Sequence, residues 1–364
     1  MKDAVKYMKR AMQLALKGKG ATCPNPMVGA VIVKNGKIIA EGFHAQCALD
    51  HAEVVAFKKA GDKARGATLY VTLEPCSHYG HTPPCLDRVL ESGIKKVVIG
   101  MKDPNPIVNG KAIQTLKKNG IQVEVGVLED ELQKMNEVFV TYITKKRPFV
   151  VAKSAQTVDG KIATKGGQSK WITSQAARDF ARTQRNDFSA ILVGIKTVLH
   201  DDPLLNAANS SKRLKKIILD STLKIPLTAN LFKNTTPEQV IIATTSKAPK
   251  AKIVALQKKA TVIVSPASGS RVNLKSLFKE LARRQISSIL IEGGATVIGD
   301  ALKNGLVDKV NIFIAPKILG DASARCSVAG LKITHVDQSI RLKDWSVKNI
   351  GEDLLIEAYV HRNR

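Results

Sequence analysis

Cysteine is scarce in this chain: Cys23, Cys47, Cys76, Cys85 and Cys326 are the only five in 364 residues. An odd number spread this widely argues against a disulfide framework and for reduced thiols in a cytoplasm, with metal or catalytic use ahead. Long hydrophobic runs are missing too, since none reaches the ~18 residues needed to span a bilayer. The opening "MKDAVKYMKRAMQLALKGKG" mixes lysines into apolar positions at helical spacing, which reads as an amphipathic helix and not a signal peptide. Acidic residues are few, 31 against 57 lysines and arginines, for a formal charge of +26. Such a field draws anions. It lacks an arginine-rich tail or interleaved aromatics, so the reading is a solvated lysine-rich surface serving a phosphorylated small molecule. A basic nucleic-acid-binding protein with a structural zinc is the competing reading. No short repeat and no low-complexity segment is present.

What is present is globular: 44% hydrophobic and 24% charged residues, in a length that suits two domains. The first, residues 1–145, alternates strand and helix. "VGAVIVKNGKIIAEGF" carries two apolar runs around Asn35-Gly36, a hairpin signal. "HAEVVAFKKAG" reads as a helix closed by glycine, "ATLYVTLEP" as a strand broken by proline, and "PPCLDRVLESG" as a helix with proline in its first turn. The second domain, residues 146–364, follows the charged joint "TKKRPFVV" and resumes the alternation, closing on two segments, "KVNIFIAPKIL" and "DLLIEAYV", that read as late antiparallel strands. Both halves are α/β.

The chemistry concentrates in the first half. His51 opens a helix two residues before Glu53, Cys76 follows Pro75 at a strand end, and Cys85 follows Pro84 at a helix start. Helix N-termini carry partial positive charge, so thiolates are favoured there. One imidazole and two thiolates make a three-ligand zinc set of the catalytic kind, with a fourth position for water. A histidine and two thiolates neutralise the ion, so the water needs a proton acceptor, and Glu53 is placed to serve. HxE followed by PC and a further cysteine is the pattern of zinc deaminases of nucleobases. Eight residues separate Cys76 from Cys85 here, where two is commoner. A structural zinc completed by Cys47, His44 or His78, or two unrelated buried thiols, therefore stays open on spacing alone.

At these residues the chain closely resembles the bifunctional deaminase–reductases of bacterial riboflavin biosynthesis. "TCPNPMVGAVIV", "GFHAQCALDHAE", "GATLYVTLEPCSHYGHTPPC" and "DPNPIVNGKAI" resemble the deaminase motifs, eight-residue gap included. "RPFVVAKSAQTVDGKIA", "SKWIT", "AILVGIKTVLHDDPLL", "ILIEGG" and "LVDKVNIFIAPKILG" resemble the reductase motifs. The resemblance implies a cytidine-deaminase-like three-layer domain followed by a dihydrofolate-reductase-like α/β domain. It implies zinc-dependent deamination of 2,5-diamino-6-ribosylamino-4(3H)-pyrimidinone 5′-phosphate, then NADPH-dependent reduction of the ribosyl group to ribityl. By motif, His51, Cys76 and Cys85 hold zinc, Glu53 shuttles protons, and Asn25, His44 and His78 contact the substrate. In the second half Ala155, Trp171, Thr197 and Asp201, with Gly294, Ala295, Thr296, Val297, Ile298, Gly299 and Asp300, match cofactor positions. Ser169, Arg185, Leu205 and Glu292 match substrate positions. A dimer or tetramer built through the second domain is likewise implied, with no membrane and no nucleic-acid partner.

The chain departs from the family pattern in places. After "DDPLL" the family continues with threonine, a variable residue and arginine, and here stand Asn206, Ala207 and Ala208. The missing guanidinium removes a bidentate phosphate contact, which Lys212, Arg213 or Lys215 would have to replace. Lys216 stands for an arginine, Asp321 for a glycine, His81 for an arginine or lysine, and Ala48 and Ala112 for glycines. A deaminase whose second domain has degenerated into a dimerisation module is the alternative these departures raise.

Overall fold

Lysines alternate with apolar residues so that Tyr7, Met8, Ala11, Leu14 and Ala15 share one buried face of α1 (Lys2–Ala15). In the computed structural model, which describes residues 2–79, 83–209 and 214–360, α1 lies against β1 (Gly29–Lys34). The approach is so close that a Cβ on Gly29 would stand 2.0 Å from the Ala11 carbonyl oxygen. His81, Lys212 and Arg213 fall outside the described residues.

Two compact units divide the chain, Met1–Lys146 and Arg147–Arg364. In the first, β1 turns through Asn35 and Gly36, both at positive φ, into β2 (Lys37–Phe43). That is the two-residue hairpin that the Asn-Gly pair announces. Then follow α2 (Ala52–Ala60), β3 (Thr68–Leu73), α3 (Cys85–Glu91), β4 (Lys96–Met101), α4 (Lys111–Lys118), β5 (Gln122–Val125), α5 (Glu129–Met135) and α6 (Glu137–Lys145). The sheet order is β2-β1-β3-β4-β5, antiparallel through the hairpin and parallel from β3 to β5. Ile32, Leu69, Val71, Ile99 and Met101 fill its core with Met8 and Leu116. Proline does not sit inside α3 as expected, because the helix starts at Cys85 with Pro84 as its N-cap. The α5–α6 pair was not legible in sequence. Its break falls at Asn136, whose side-chain amide donates to the Met27 carbonyl (3.0 Å) and accepts from the Met27 N–H (2.9 Å).

The second unit contains β6 (Phe149–Thr157), β7 (Lys161–Ala163), α7 (Gln175–Gln184), β8 (Ala190–Gly194), α8 (Ile195–Asp201), β9 (Lys215–Leu219) and β10 (Val240–Thr244). It continues with α9 (Lys250–Gln257), β11 (Thr261–Val264), the small hairpin of β12 (Ala267–Ser268) and β13 (Arg271–Val272), and α10 (Leu274–Arg283). It closes with β14 (Ser288–Ile291), α11 (Ala295–Lys303), β15 (Lys309–Ala315), β16 (Arg325–Cys326), β17 (Lys343–Ile350) and β18 (Asp353–Tyr359). The main sheet runs β11-β10-β9-β8-β14-β6-β15-β18-β17, and β16 pairs with β7. The expectation of late antiparallel strands needs correction at β15, which pairs antiparallel with β18 but parallel with β6. Strand β15 is reached from β6 by way of helices, the long crossover that parallel pairing requires. At the joint, Arg147 donates to both oxygens of Asp308 at 2.6 and 2.7 Å, and Asp308 also accepts from the Val150 N–H.

Candidate active sites

Helix α2 brings the first site together. Its packing on β2 depends on Gly42, where a Cβ would stand 2.2 Å from the Ala52 carbonyl oxygen. His51 occupies the N-cap but its ring makes no capping bond, so it is free to turn toward the thiols. His51 Nδ1 lies 3.1 Å from Cys85 Sγ and 3.6 Å from Cys76 Sγ, and the three ligand atoms all fall within 4.8 Å of one another. Atoms bound ~2.0–2.3 Å from one ion at tetrahedral angles stand roughly 3.3–3.8 Å apart, so this donor set fits zinc. Among the described residues no fourth histidine, cysteine or carboxylate joins the group. One expectation is refined here: only Cys85 begins a helix. Cys76 lies beyond β3 and instead accepts the Cys85 backbone N–H at 3.2 Å, so α3 favours that thiolate from across the loop.

The charges follow the geometry. Hydrogen bonding from Cys85 and His51 holds the Cys76 thiol down at about 4, against the effect of burial. The Cys76 thiolate and burial push Cys85 up, so the pair shares one proton until an ion ionises both. The hydrogen bond to Cys76 raises His51. Glu53, 3% exposed in the first turn of α2, is lifted to about 7 by burial and by the charge of Cys76, with His51 opposing. A carboxyl group poised there can both take up and release a proton.

Beside this group opens a cavity of about 240 Å³. Asn25, His44 and His78 all line it. Asn25 Nδ2 and His44 Nε2 stand 3.3 Å apart, and burial lowers the His44 pKa. Nδ1 of His78 is buried without a hydrogen-bond partner in the protein. Sequence reasoning missed Asp103, Asn105 and the α6 side chains Phe139, Tyr142 and Ile143, which complete the wall. Asp103 and Asn105 stood in the quoted "DPNP" stretch and were within reach. The α6 residues were not, because an apolar helix face looks the same whether it covers a core or a cavity. Ala48, also on the wall, has φ of 69°, a left-handed backbone that glycine adopts without strain.

The second site is spread along the strand ends of the second unit. Neighbouring parallel strands β8 and β14 run into α8 and α11, so Thr197 lies beside Gly293 and the stretch from Gly294 to Asp300. Gly293 and Gly294 have φ of 132° and 76°, conformations open to glycine alone or nearly so. A Cβ on Gly293 would stand 3.1 Å from Thr197 Oγ1, so the glycine lets α8 and the start of α11 approach closely. Trp171 is 62% exposed and lies under the Arg178 guanidinium at 4.2 Å, so it is a surface residue and not part of the core. Ala155 lies on β6, Asp201 ends α8, and Ser169 precedes α7. Leu205 is buried at φ of 57°.

Arg185 and Glu292 form a bidentate pair at 2.7 and 2.9 Å, and Arg185 also donates to the Asn206 carbonyl at 2.7 Å. Burial alone would raise the Glu292 carboxyl, yet the guanidinium outweighs it and holds that group below its ordinary value. Lys153 of β6, which sequence reasoning missed, faces this pair, its ammonium depressed by burial. Of the proposed substitutes for the absent arginine, Lys215 turns away and donates to the Glu238 carbonyl at 2.8 Å.

Fold and first site together define a class: a zinc-binding deaminase of the cytidine type joined to a reductase. The cytidine and deoxycytidylate deaminase zinc-binding region matches residues 1–101, and the RibD C-terminal domain matches residues 148–356. Riboflavin biosynthesis protein RibD of Aquifex aeolicus is 46% identical over 352 residues, covering 96% of each chain. The Escherichia coli K12 protein of the same name is 36% identical, covering 96% of this chain and 97% of its own. Among solved structures, Acinetobacter baumannii RibD superposes with a TM-score of 0.89 at 37% identity over 99% of both chains. A Thermotoga maritima diaminohydroxyphosphoribosylaminopyrimidine deaminase/5-amino-6-(5-phosphoribosylamino)uracil reductase gives 0.85 at 40% identity, again over 99% of both. This chain belongs to the RibD family, the bifunctional deaminase–reductases of riboflavin biosynthesis, with zinc and NADPH as cofactors.

Among the described residues no helix is long and apolar enough to cross a membrane.

Proposed function

We propose that the first unit deaminates 2,5-diamino-6-ribosylamino-4(3H)-pyrimidinone 5′-phosphate, and that the second reduces the product's ribosyl group to ribityl. The observation that carries this reading is the convergence of His51, Cys76 and Cys85 within 4.8 Å beside a buried Glu53 and a 240 Å³ cavity. Those three side chains would hold zinc, which would supply an acidified water at neutral pH. Glu53 is placed to take up the proton released when water adds to the amino-bearing ring carbon. It then returns the proton to the nitrogen as the C–N bond breaks and ammonia leaves. Asn25, His44 and His78 hold the ring and ribose while the walls exclude bulk water.

In the second unit Ala155, Trp171, Thr197, Asp201 and the residues from Gly294 to Asp300 would hold NADPH, which would supply the hydride. Ser169, Leu205 and the Arg185–Glu292 pair hold the substrate. Ala208 lies on the loop to which Arg185 is tied through Asn206, so Arg185 is the guanidinium held nearest the place of the absent arginine. The exposed edge strand β17, with Trp345 68% and Val347 52% exposed, favours a homo-oligomer built through this unit.

The test is incubation of the purified protein with the diaminopyrimidinone phosphate, with and without NADPH. Ammonia release in both samples and NADPH oxidation in one are expected. Glu53→Ala should retain zinc and lose ammonia release by ~10²–10⁴-fold. Loss of zinc from that variant would instead make Glu53 a ligand.

A further inference from the structure

Next to the metal group, at the end of β3, lies a second buried carboxylate, which the chemistry above does not use. Glu74 is 2% exposed. Its Oε2 accepts the N–H groups of Asp103 (3.2 Å) and Gly110 (2.9 Å), and its Oε1 those of Ala112 (3.2 Å) and Ile113 (3.4 Å). All four donors belong to the stretch that leaves β4 and enters α4. A carboxylate has about four lone-pair positions, so these bonds occupy it fully. That leaves nothing for a metal or for proton transfer, and it makes burial of the charge tolerable. The same stretch carries Asp103 and Asn105 into the cavity wall. It is curled by two further bonds, the Asn105 N–H to Asp103 Oδ1 at 2.8 Å and the Ile107 N–H to Asn105 Oδ1 at 3.2 Å. Those two bonds are local to the loop. The bonds of Glu74 tie the loop to the strand that leads directly to Cys76.

We propose that Glu74 is a positioning residue of the deaminase site: by gathering four backbone amides it fixes Asp103 and Asn105 at the distance from Cys76 that the pyrimidine nucleotide requires. The proposal rests on the reading of this cavity as the deaminase site. Glu74→Gln keeps the size of the side chain but presents an NH₂ to two of the four donors, so it loosens the loop without opening a cavity.

In the zinc-loaded full-length enzyme, Glu74→Gln should raise the KM for ammonia release about tenfold, the equivalent of one lost polar contact. Its zinc content should stay at the wild-type level and kcat within about twofold, because Glu53 and the metal group are untouched. Asn105→Ala should raise KM on its own and add little in the Glu74→Gln background, since both act through one loop. An unchanged KM, or additive effects of the two substitutions, would overturn the proposal. So would failure of both Glu74→Gln and Glu74→Asp to fold, for the residue would then serve the fold and not the loop's placement. A wild-type enzyme that releases no ammonia would instead refute the reading of the cavity itself.

Discussion

The two units solve the problem of placing chemistry in opposite ways. In the first, His51 at the start of α2, Cys76 from the loop after β3 and Cys85 of α3 meet within 4.8 Å, and the buried Glu53 stands in the first turn of α2. In the second, the residues matched to cofactor and substrate lie along the ends of β6, β8 and β14, and much of what they offer is backbone. Zinc has no reactivity here without specific donors, so the protein must supply imidazole, thiolates and carboxylate in one place. A nicotinamide brings its own reactivity, and the protein has only to hold and orient it. A metal site therefore marks its sequence heavily, and a hydride-transfer site marks it lightly.

The sharpest way to break that contrast is to remove a zinc ligand. Cys85→Ser should lose bound zinc and lower deamination by more than about a thousandfold, while NADPH-dependent reduction of the already deaminated substrate stays near wild type. Parallel loss of both activities would show that the halves are not independent. A smaller effect is expected in the second unit. Arg185→Lys removes the bidentate pair with Glu292 and should cost about 2 kcal/mol, or roughly thirtyfold in reductase KM. Ala208→Arg should lower that KM, and no drop would mean that the phosphate is already fully gripped.

These differences explain what was legible in the sequence. The hairpin at Asn35-Gly36, the helix opened by His51 and the strand–helix alternation of both units could be read because turn chemistry and apolar periodicity are local. The convergence of His51, Cys76 and Cys85 could be read because cysteine is rare in this chain, with five in all. The α5–α6 break could not, since Asn136 stops the helix by bonding Met27, 109 positions away. The parallel pairing of β15 with β6 was equally hidden, because strand direction within a sheet is set by the crossover and not by the strand. Lys153 escaped notice because its place beside Arg185 and Glu292 depends on which strand neighbours β14.

Two further substitutions sharpen the comparison at lower amplitude. Lys216, 2% exposed and donating to the Leu231 carbonyl, is depressed to about 8 by burial and by Arg185. Its folded value lies below its unfolded one, so the folded state pays for the charge below pH 8 and regains stability as pH rises toward 10.5. The stability advantage of Lys216→Met over wild type should therefore shrink by about 2–3 kcal/mol between pH 8 and pH 10.5, measured by urea unfolding. A pH-independent difference would mean that Lys216 is neutral or well solvated. Ala48→Gly relieves a left-handed φ at the rim of the deaminase cavity and should gain less than about 1 kcal/mol, because glycine's extra unfolded-state freedom offsets part of the relief. Thermal unfolding at pH 7 checks it, and a loss of stability would contradict the strain argument.

X-ray absorption on the zinc-loaded protein tests the central claim most directly. The account predicts one zinc per chain with two sulfurs at about 2.3 Å and the remaining neighbours nitrogen or oxygen near 2.0 Å, one of them exchangeable for an added anion. A third sulfur, or a fourth protein donor that no anion displaces, would make the site structural and contradict the account.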